Sequence, residues 1–405
     1  MDRAFCVRAA VRARGGKVEQ WKLETWLAQL GVNREEQTGA ISTPIYLSTV
    51  YRHPGLGQST GFDYARTGNP TRQVLEREIA RLEGGTRGFA CSSGMAAIQT
   101  ILSLFSQGDH LLVSLDLYGG TYRLFEQVLC RFGITASYVD TTSMEELRQA
   151  QRAQTKGLLI ETPTNPLMYV TDLAQVCQWA RAEGLLTVVD NTLLTPYYQR
   201  PLALGADVVI HSATKYLGGH NDVLAGLIVT AEESLGERLG FLHNSIGAVL
   251  SPFDSWLLLR GMKSLALRME RQEGNAQRLA EFLAAHPLVE RVYYPGLAAH
   301  PGREVQQAQA AGNGGLFSFR LVDGRLVEPL LRSLRLISFA ESMGGVESLM
   351  TFPARQTHMD IPEEIRRRVG VDDRLLRLAV GIEHLEDLIG DLAQALENAE
   401  RQVRV

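Results

Sequence analysis

Lys215 is one of only five lysines in a 405-residue chain that carries 36 arginines. It follows the apolar run Val208-Val209-Ile210, with His211, Ser212, Ala213 and Thr214 between, and precedes Gly218-Gly219-His220. Arginine can stand in for lysine wherever a charge is solvated. It cannot stand in for an amine that must lose its proton or form a Schiff base. Earlier in the chain the apolar run Thr187-Val188-Val189 ends in Asp190. A carboxylate there can cap a helix, bind a metal or face a protonated ring nitrogen. Cys91-Ser92-Ser93-Gly94-Met95 opens the apolar stretch Ala96-Ala97-Ile98. Small residues at a helix N-terminus leave N–H groups for an anion such as phosphate, although the same turn also serves close packing. Tyr118-Gly119-Gly120 adds an aromatic ring past another apolar run. Each feature is ambiguous alone, and Lys215 by itself reads equally as a surface charge. As an ordered set they are the three grips that pyridoxal phosphate needs: phosphate, ring nitrogen and aldehyde.

Such a set has to be carried by strand ends. Apolar runs at His110–Ser114, Leu158–Glu161, Leu186–Asp190, Val208–His211 and Ala225–Val229 predict strands. Amphipathic helices are predicted between them at Tyr122–Phe132 and Asp172–Ala182, and an earlier helix is capped by Thr71 and ended by Gly84-Gly85. Near-continuous apolar strands alternating with helices indicate a mainly parallel α/β sheet covered on both faces. Residues 66–262 are assigned to this large domain. After Met262 the pattern changes to longer helices with few strands, Phe317–Leu321 among them, so residues 263–405 form a smaller C-terminal α/β domain. Residues 1–65 have little periodicity and read as an extension and arm lying on a neighbour.

Composition narrows the function classes. Lys+Arg total 41 against 45 Asp+Glu, a balance of −4 that disfavours nucleic acid as a partner. The four cysteines form no CxxC pair, so neither a zinc site nor a disulfide framework is expected, and a reducing cytoplasm suits them. The uncharged stretch Phe89–Gly108 contains Ser92, Ser93, Gln99, Thr100, Ser103 and Ser106 and reads as a buried helix, not a membrane span. Arg3, Arg8, Arg12 and Arg14 make the N-terminus basic without a signal-peptide core. Gly55, Gly57 and Gly61 give GxGxxxG with no strand before it, which sets a dinucleotide-binding oxidoreductase aside.

Longer blocks carry a family resemblance. Ser212-Ala213-Thr214-Lys215-Tyr216-Leu217-Gly218-Gly219-His220 resembles the lysine signature of the Cys/Met-metabolism family of pyridoxal-phosphate enzymes. Tyr64–Thr71 (YARTGNPT), Glu161–Pro166 (ETPTNP) and Leu376–Glu383 (LRLAVGIE) resemble its other blocks, and the likeness runs from about Lys22 to the last helix. The resemblance implies the transferase fold type I, with a mainly parallel seven-stranded sheet in the large domain. It also implies roles. Lys215 would hold the cofactor and move protons, Asp190 would keep the pyridine nitrogen protonated, and Tyr118 would stack on the ring. Gly94 and Met95 amides with Ser212 and Thr214 hydroxyls would bind the phosphate, joined by Tyr64 and Arg66 of a neighbouring subunit in a homotetramer. Arg377 would clamp the substrate α-carboxylate with Asn165 and Ser342; read without the family, Arg377 could equally be a buried structural ion pair.

The shared motifs do not separate the reactions. Gly120 stands where methionine γ-lyases carry a cysteine, which points away from that branch. Ala340–Leu349 resembles a segment of cystathionine γ-synthases and γ-lyases, in which Glu341 would meet the distal ammonium of cystathionine. Tyr118–Phe125 and His358–Pro362 resemble bacterial synthases acting on acylated homoserine. The implied activity is γ-replacement by cysteine, or by sulfide, in methionine biosynthesis, with cystathionine γ-lyase as the alternative. Leu193 and Phe352 replace the phenylalanine and histidine usual in the family, both on the substrate side.

Overall fold

Apolar, branched strand residues bury both faces of a sheet, and the central strands of a seven-stranded sheet do so here. In the computed structural model, which describes residues 11–12, 18–19, 21–32, 37–359 and 361–404, the seven strands are β1 (Arg87–Cys91), β2 (His110–Ser114), β3 (Thr135–Val139), β4 (Thr155–Glu161), β5 (Leu186–Asp190), β6 (Val208–Ser212) and β7 (Gly226–Thr230). Their order is β1-β7-β6-β5-β4-β2-β3, and every strand runs parallel except β7. Parallel pairing brings the carboxyl ends of β4, β5 and β6 to one edge, with Glu161 opposite Asp190 and Asp190 opposite Ile210.

Two of the seven strands escape the sequence reading. β3 is an edge strand whose Thr135, Ser137 and Tyr138 break the apolar run. β1 runs into the start of the uncharged stretch expected to be one buried helix. The chain breaks there instead, because Ser93 accepts the Ala96 amide at 3.0 Å and caps α3 (Gly94–Leu102). Two helices precede it, α1 (Leu23–Ala28) and α2 (Pro70–Glu83). α4 (Gly119–Gln127) then follows Tyr118 and stops before a separate 3-10 turn at Leu129–Phe132, where one helix was predicted.

The cap of α2 is also not the predicted one. Asn69 accepts the amides of Thr71 and Arg72 at 3.0 and 3.1 Å, with Pro70 in the first helical position. Thr71 turns its hydroxyl outward to the arm, donating to Pro44 O at 2.7 Å and accepting from Tyr46 N at 2.9 Å. Buried Arg72 holds the arm further along, through Ala65 O at 2.8 Å and Arg66 O at 3.0 Å. Its Nε meets Glu76 Oε1 at 3.2 Å, and that oxygen also accepts the Ala90 amide of β1 at 3.2 Å. The arm is less separate than predicted, since Trp26, Leu27 and Leu30 are buried in the same core as Leu75 and Leu265. Arg3, Arg8 and Arg14 lie outside the described residues.

Beyond residue 262 the chain is richer in strands than predicted. The helix α5 (Leu265–Ala284) leads into β8 (Val289–Tyr293), β9 (Leu316–Leu321), β10 (Ser338–Phe339), β11 (Leu349–Thr351) and β12 (Leu375–Ala379), ordered β8-β9-β12-β11-β10. β10 and β11 are too short for a visible period, and Arg377 interrupts β12. Ala276, Leu279 and Leu283 of α5 pack with Phe317, Phe319 and Leu378, and α6 (Leu385–Arg404) closes this second core with Leu392 and Leu396. Among the described residues no helix is long and apolar enough to cross a membrane.

Replacing Asn69 with Ala removes both capping bonds and lowers stability by about 1 to 2 kcal/mol, read as a lower urea midpoint with unchanged slope. Thr71→Ala leaves that cap intact and instead speeds proteolysis within the arm.

Candidate active site

The carboxyl ends of β4, β5 and β6 and the N-termini of α3 and α4 enclose a cavity of about 320 Å³, closed on its far side by residues 341–343 and Arg377. Eleven of the thirteen predicted contacts line this cavity, drawn from the two sheets in different ways. From the first sheet come Gly94, Met95, Tyr118, Asn165, Asp190, Ser212, Thr214 and Lys215; from the second come Glu341, Ser342 and Arg377. Tyr64 and Arg66 stay outside. Arg66 donates to Asn244 O at 2.8 Å and lies over the Tyr64 ring, 5.7 Å from its centroid.

Lys215 follows β6 in a tight turn whose Gly219 amide returns to Lys215 O at 2.8 Å with φ of 76°. Its Nζ donates to Ser342 Oγ at 2.9 Å. Burial and, second, the nearby Arg377 cation depress its pKa to about 8, against a pull from Glu341 in the other direction. The bland reading of Lys215 as a surface charge therefore fails.

Arg377 is fully buried. Nη1 donates to Asn165 Oδ1 at 2.8 Å, and Nη2 donates to Ser342 O at 2.9 Å and Thr351 Oγ1 at 3.0 Å. These partners are neutral oxygens, and Nε has none. Burial brings its pKa down to about 10, so the cation persists at neutral pH. A buried cation held by neutral groups has charge left for a carboxylate that arrives with a ligand.

Asp190 Oδ1 accepts the Thr192 amide at 3.0 Å and the Thr192 hydroxyl at 2.5 Å. Burial pushes this carboxyl up, while Thr192 and His211 favour its charge. A protonated ring nitrogen would supply the counter-charge that burial withholds. At the opposite end, a Cβ on Gly94 would stand 2.9 Å from Ser212 Cβ, so glycine brings the α3 N-terminus against β6. The first amides of a helix have no acceptor within it and make an anion seat with the Ser212 hydroxyl. Thr214 is more committed, since its hydroxyl donates to Ala225 O at 3.2 Å and accepts from Ala225 N at 3.0 Å. Tyr118 is 42% exposed at the mouth. A phosphate seat, a ring-nitrogen carboxylate, a depressed amine and an aromatic wall fit pyridoxal phosphate, and among the described residues no cluster of three metal-binding side chains competes.

The family comparison agrees with that fit. A family model described as Cys/Met metabolism PLP-dependent enzyme matches residues 24–397. The chain belongs to this family. It is 57% identical to a cystathionine gamma-synthase/O-acetylhomoserine (thiol)-lyase of Bacillus subtilis (strain 168), over 92% of this chain and 96% of the relative. Its identity to a cystathionine gamma-lyase of the same organism is 52%, over 93% of this chain and 100% of that one. The crystal structure of cystathionine gamma-lyase from Lactobacillus plantarum complexed with L-serine superimposes with a TM-score of 0.92, at 46% identity, covering 94% of this chain and 100% of that one. Cystathionine beta-lyases also stand among the relatives. The protein is thus a pyridoxal-phosphate-dependent enzyme of the cystathionine synthase and lyase group, with the fold that its motifs implied.

Sequence reasoning left some cavity residues without a role. Glu161 stood inside a quoted motif and Thr192 two residues past Asp190, but the meaning of Glu161 depends on register: parallel pairing sets it beside Asp190. His211 was read only as strand; it pairs with buried Glu83, Nε2 to Oε1 at 2.7 Å. Glu83 comes from the end of α2, far away in sequence.

In protein stripped of cofactor, the rate of visible-band formation with added pyridoxal phosphate should climb with pH to about 8 and then level, because the neutral amine reacts. An unperturbed lysine would keep climbing to above about pH 10. Lys215→Ala should keep its far-ultraviolet spectrum and, after gel filtration, carry no visible band; a retained band would remove Lys215 from the role.

Proposed function

We propose that this enzyme catalyses γ-replacement on an O-acylated homoserine, acetyl or succinyl, with cysteine to give cystathionine and a carboxylic acid. The observation that carries the reading is the pairing of Arg377 at one end of the cavity with Glu341 at its rim, across Lys215. That arrangement suits a long amino acid with a carboxylate at one end and an ammonium at the other. The 57% likeness to a synthase and thiol-lyase supports the same reading and extends it to sulfide as a second acceptor.

Each residue has a bounded task. Arg377, kept charged and held by Asn165, Ser342 and Thr351, receives the α-carboxylate and fixes the direction of Cα–H. Asn165 is held in place by this contact and Ser342 by its two. Lys215 Nζ, neutral above about pH 8, takes the Cα proton and then a Cβ proton, and Ser342 Oγ holds the amine in place between transfers. Pyridoxal phosphate, when bound, supplies the electron sink for the charge left on carbon. Asp190 keeps the ring nitrogen's proton, Tyr118 covers the ring, and Gly94, Met95, Ser212 and Thr214 seat the phosphate. The acyloxy group leaves Cγ with its bonding electrons and takes up the thiol proton as the cysteine sulfur bonds to Cγ, and the protons removed from Cα and Cβ return to those carbons.

Cystathionine γ-lyase is the second reading, favoured by the 52% likeness to such an enzyme. The two separate in an assay of O-acetylhomoserine plus cysteine against cystathionine alone. Cystathionine formation should exceed 2-oxobutanoate release by at least about tenfold in kcat/KM, and the reverse ratio would install the lyase.

We also infer a cytoplasmic homotetramer built from pairs that share sites. Tyr64 and Arg66 lie outside their own cavity beside an arm that exposes Ile41, Leu47 and Val50. They are assigned to the phosphate of the neighbouring subunit. Chains carrying Arg66→Ala and chains carrying Lys215→Ala should each be nearly inactive. Refolded together in equal amounts, they should regain roughly a quarter of the native activity, because half of random pairs are mixed and each mixed pair holds one intact site. No recovery would place Arg66 in its own subunit.

A further inference from the structure

Glu161 holds none of the roles given above, yet it ends β4 inside the same cavity. β4 lies between β2 and β5. Its side chain acts as a clamp. Oε2 accepts the Tyr118 amide at 3.2 Å, and the carboxyl also accepts the Asn165 amide. The backbone amide of Glu161 is itself fixed, donating to Ser114 Oγ of β2 at 3.1 Å. One carboxyl thereby sets the spacing between Tyr118, at the start of α4, and Asn165, whose Oδ1 carries Arg377 at 2.8 Å.

We propose that Glu161 is the positioning residue that sets Tyr118 and Asn165 against the pocket, and that it does so as a protonated carboxyl. Three carboxyls converge here from neighbouring strands: Asp116 beyond β2, Glu161, and Asp190 in register with it on β5. Like charges this close do not all ionise. Burial raises Asp116, to about 6, and Asp190 as well, but Asp116 is drawn back by the Thr164 hydroxyl at 2.5 Å and the Leu167 amide at 2.9 Å, and Asp190 by the two Thr192 bonds. Arg377, facing Glu161 from β12, favours its charge, but that guanidinium is already engaged by three neutral oxygens. Burial first, then Asp190 and Asp116, push Glu161 well above the ordinary carboxylate range, and its two amide bonds pull back only in part. With amides on its accepting side, the acid keeps an O–H to offer to the pocket, and Asp190 is left as the site's anion.

The inference depends on the cofactor site and on no choice of sulfur substrate, so its test uses none. Pyridoxal phosphate binding to the stripped protein is measured by absorbance for the native chain, Glu161→Gln and Glu161→Ala. Glutamine has the shape of the protonated acid and should bind within about threefold of native, while alanine, which frees both amides, should bind about tenfold to a hundredfold more weakly. Urea midpoints of the stripped proteins give a second readout that does not need the alanine variant to fold. Native Glu161 holds a proton that the unfolded chain releases near 4.5, so folding is supported at low pH and loses support as pH rises. From about pH 5 to 8 the native midpoint should therefore fall relative to that of Glu161→Gln. A glutamine variant that binds as weakly as the alanine one, or a midpoint difference that stays constant with pH, would overturn the proposal and make Glu161 a working anion.

Discussion

Two cations that burial penalises, Lys215 and Arg377, meet through a single residue, Ser342. The hydroxyl of Ser342 takes the Lys215 amine and its carbonyl takes the Arg377 guanidinium. One cation comes from the first sheet and the other from the second, so the contact fastens the sheets together across the pocket. Ser342 reaches both by adopting φ of 92°, a conformation strained for any residue but glycine. Its neighbour Gly344 permits this approach, since a Cβ there would stand 2.5 Å from Tyr216 N. Neutral oxygens hold both charges in place without cancelling either, and this leaves one amine willing to lose its proton and one cation seeking a carboxylate.

From that constraint the division of labour between the sheets follows. The parallel sheet contributes groups from strand ends, where free helix amides and carboxyls gather and where a planar cofactor can be gripped at three points. The second sheet contributes Arg377, Ser342 and Glu341, the residues that the proposed function turns toward the amino acid. Members of the family differ in reaction while sharing the first set, which is consistent with synthases, γ-lyases and β-lyases all standing among this chain's relatives. Of the residues that differ or discriminate in the sequence reading, Leu193 and Glu341 line the cavity, and the proposed selectivity rests on them, not on the cofactor grips.

Much of this was legible in the sequence, for identifiable reasons. Asp190 closed one apolar run and Lys215 followed shortly after another, and a run that buries both faces declares its strand without help from partners. β3 was silent because an edge strand buries less and tolerates Thr135 and Ser137. The cap of α2 was misplaced by two residues because Thr71 and Asn69 are both competent caps, and the choice was made by the arm, which took the threonine hydroxyl. Glu161 and Glu83 were unreadable as site residues for a different reason. Their significance lies in which strand or helix end stands next to Asp190 and His211, and pairing register is a property of the fold as a whole.

The bonds made by Arg72 carry a consequence for assembly. They run from the arm carbonyls of Ala65 and Arg66 through Glu76 to the amide of Ala90, four residues before the glycine that opens the phosphate seat. A chain's own seat and the two side chains proposed to reach a neighbour are thus joined through one run of bonds within the same chain. In the proposed pair, the fit between lent and native groups becomes a manufacturing tolerance fixed at folding. Association then has only to bring two such chains into register.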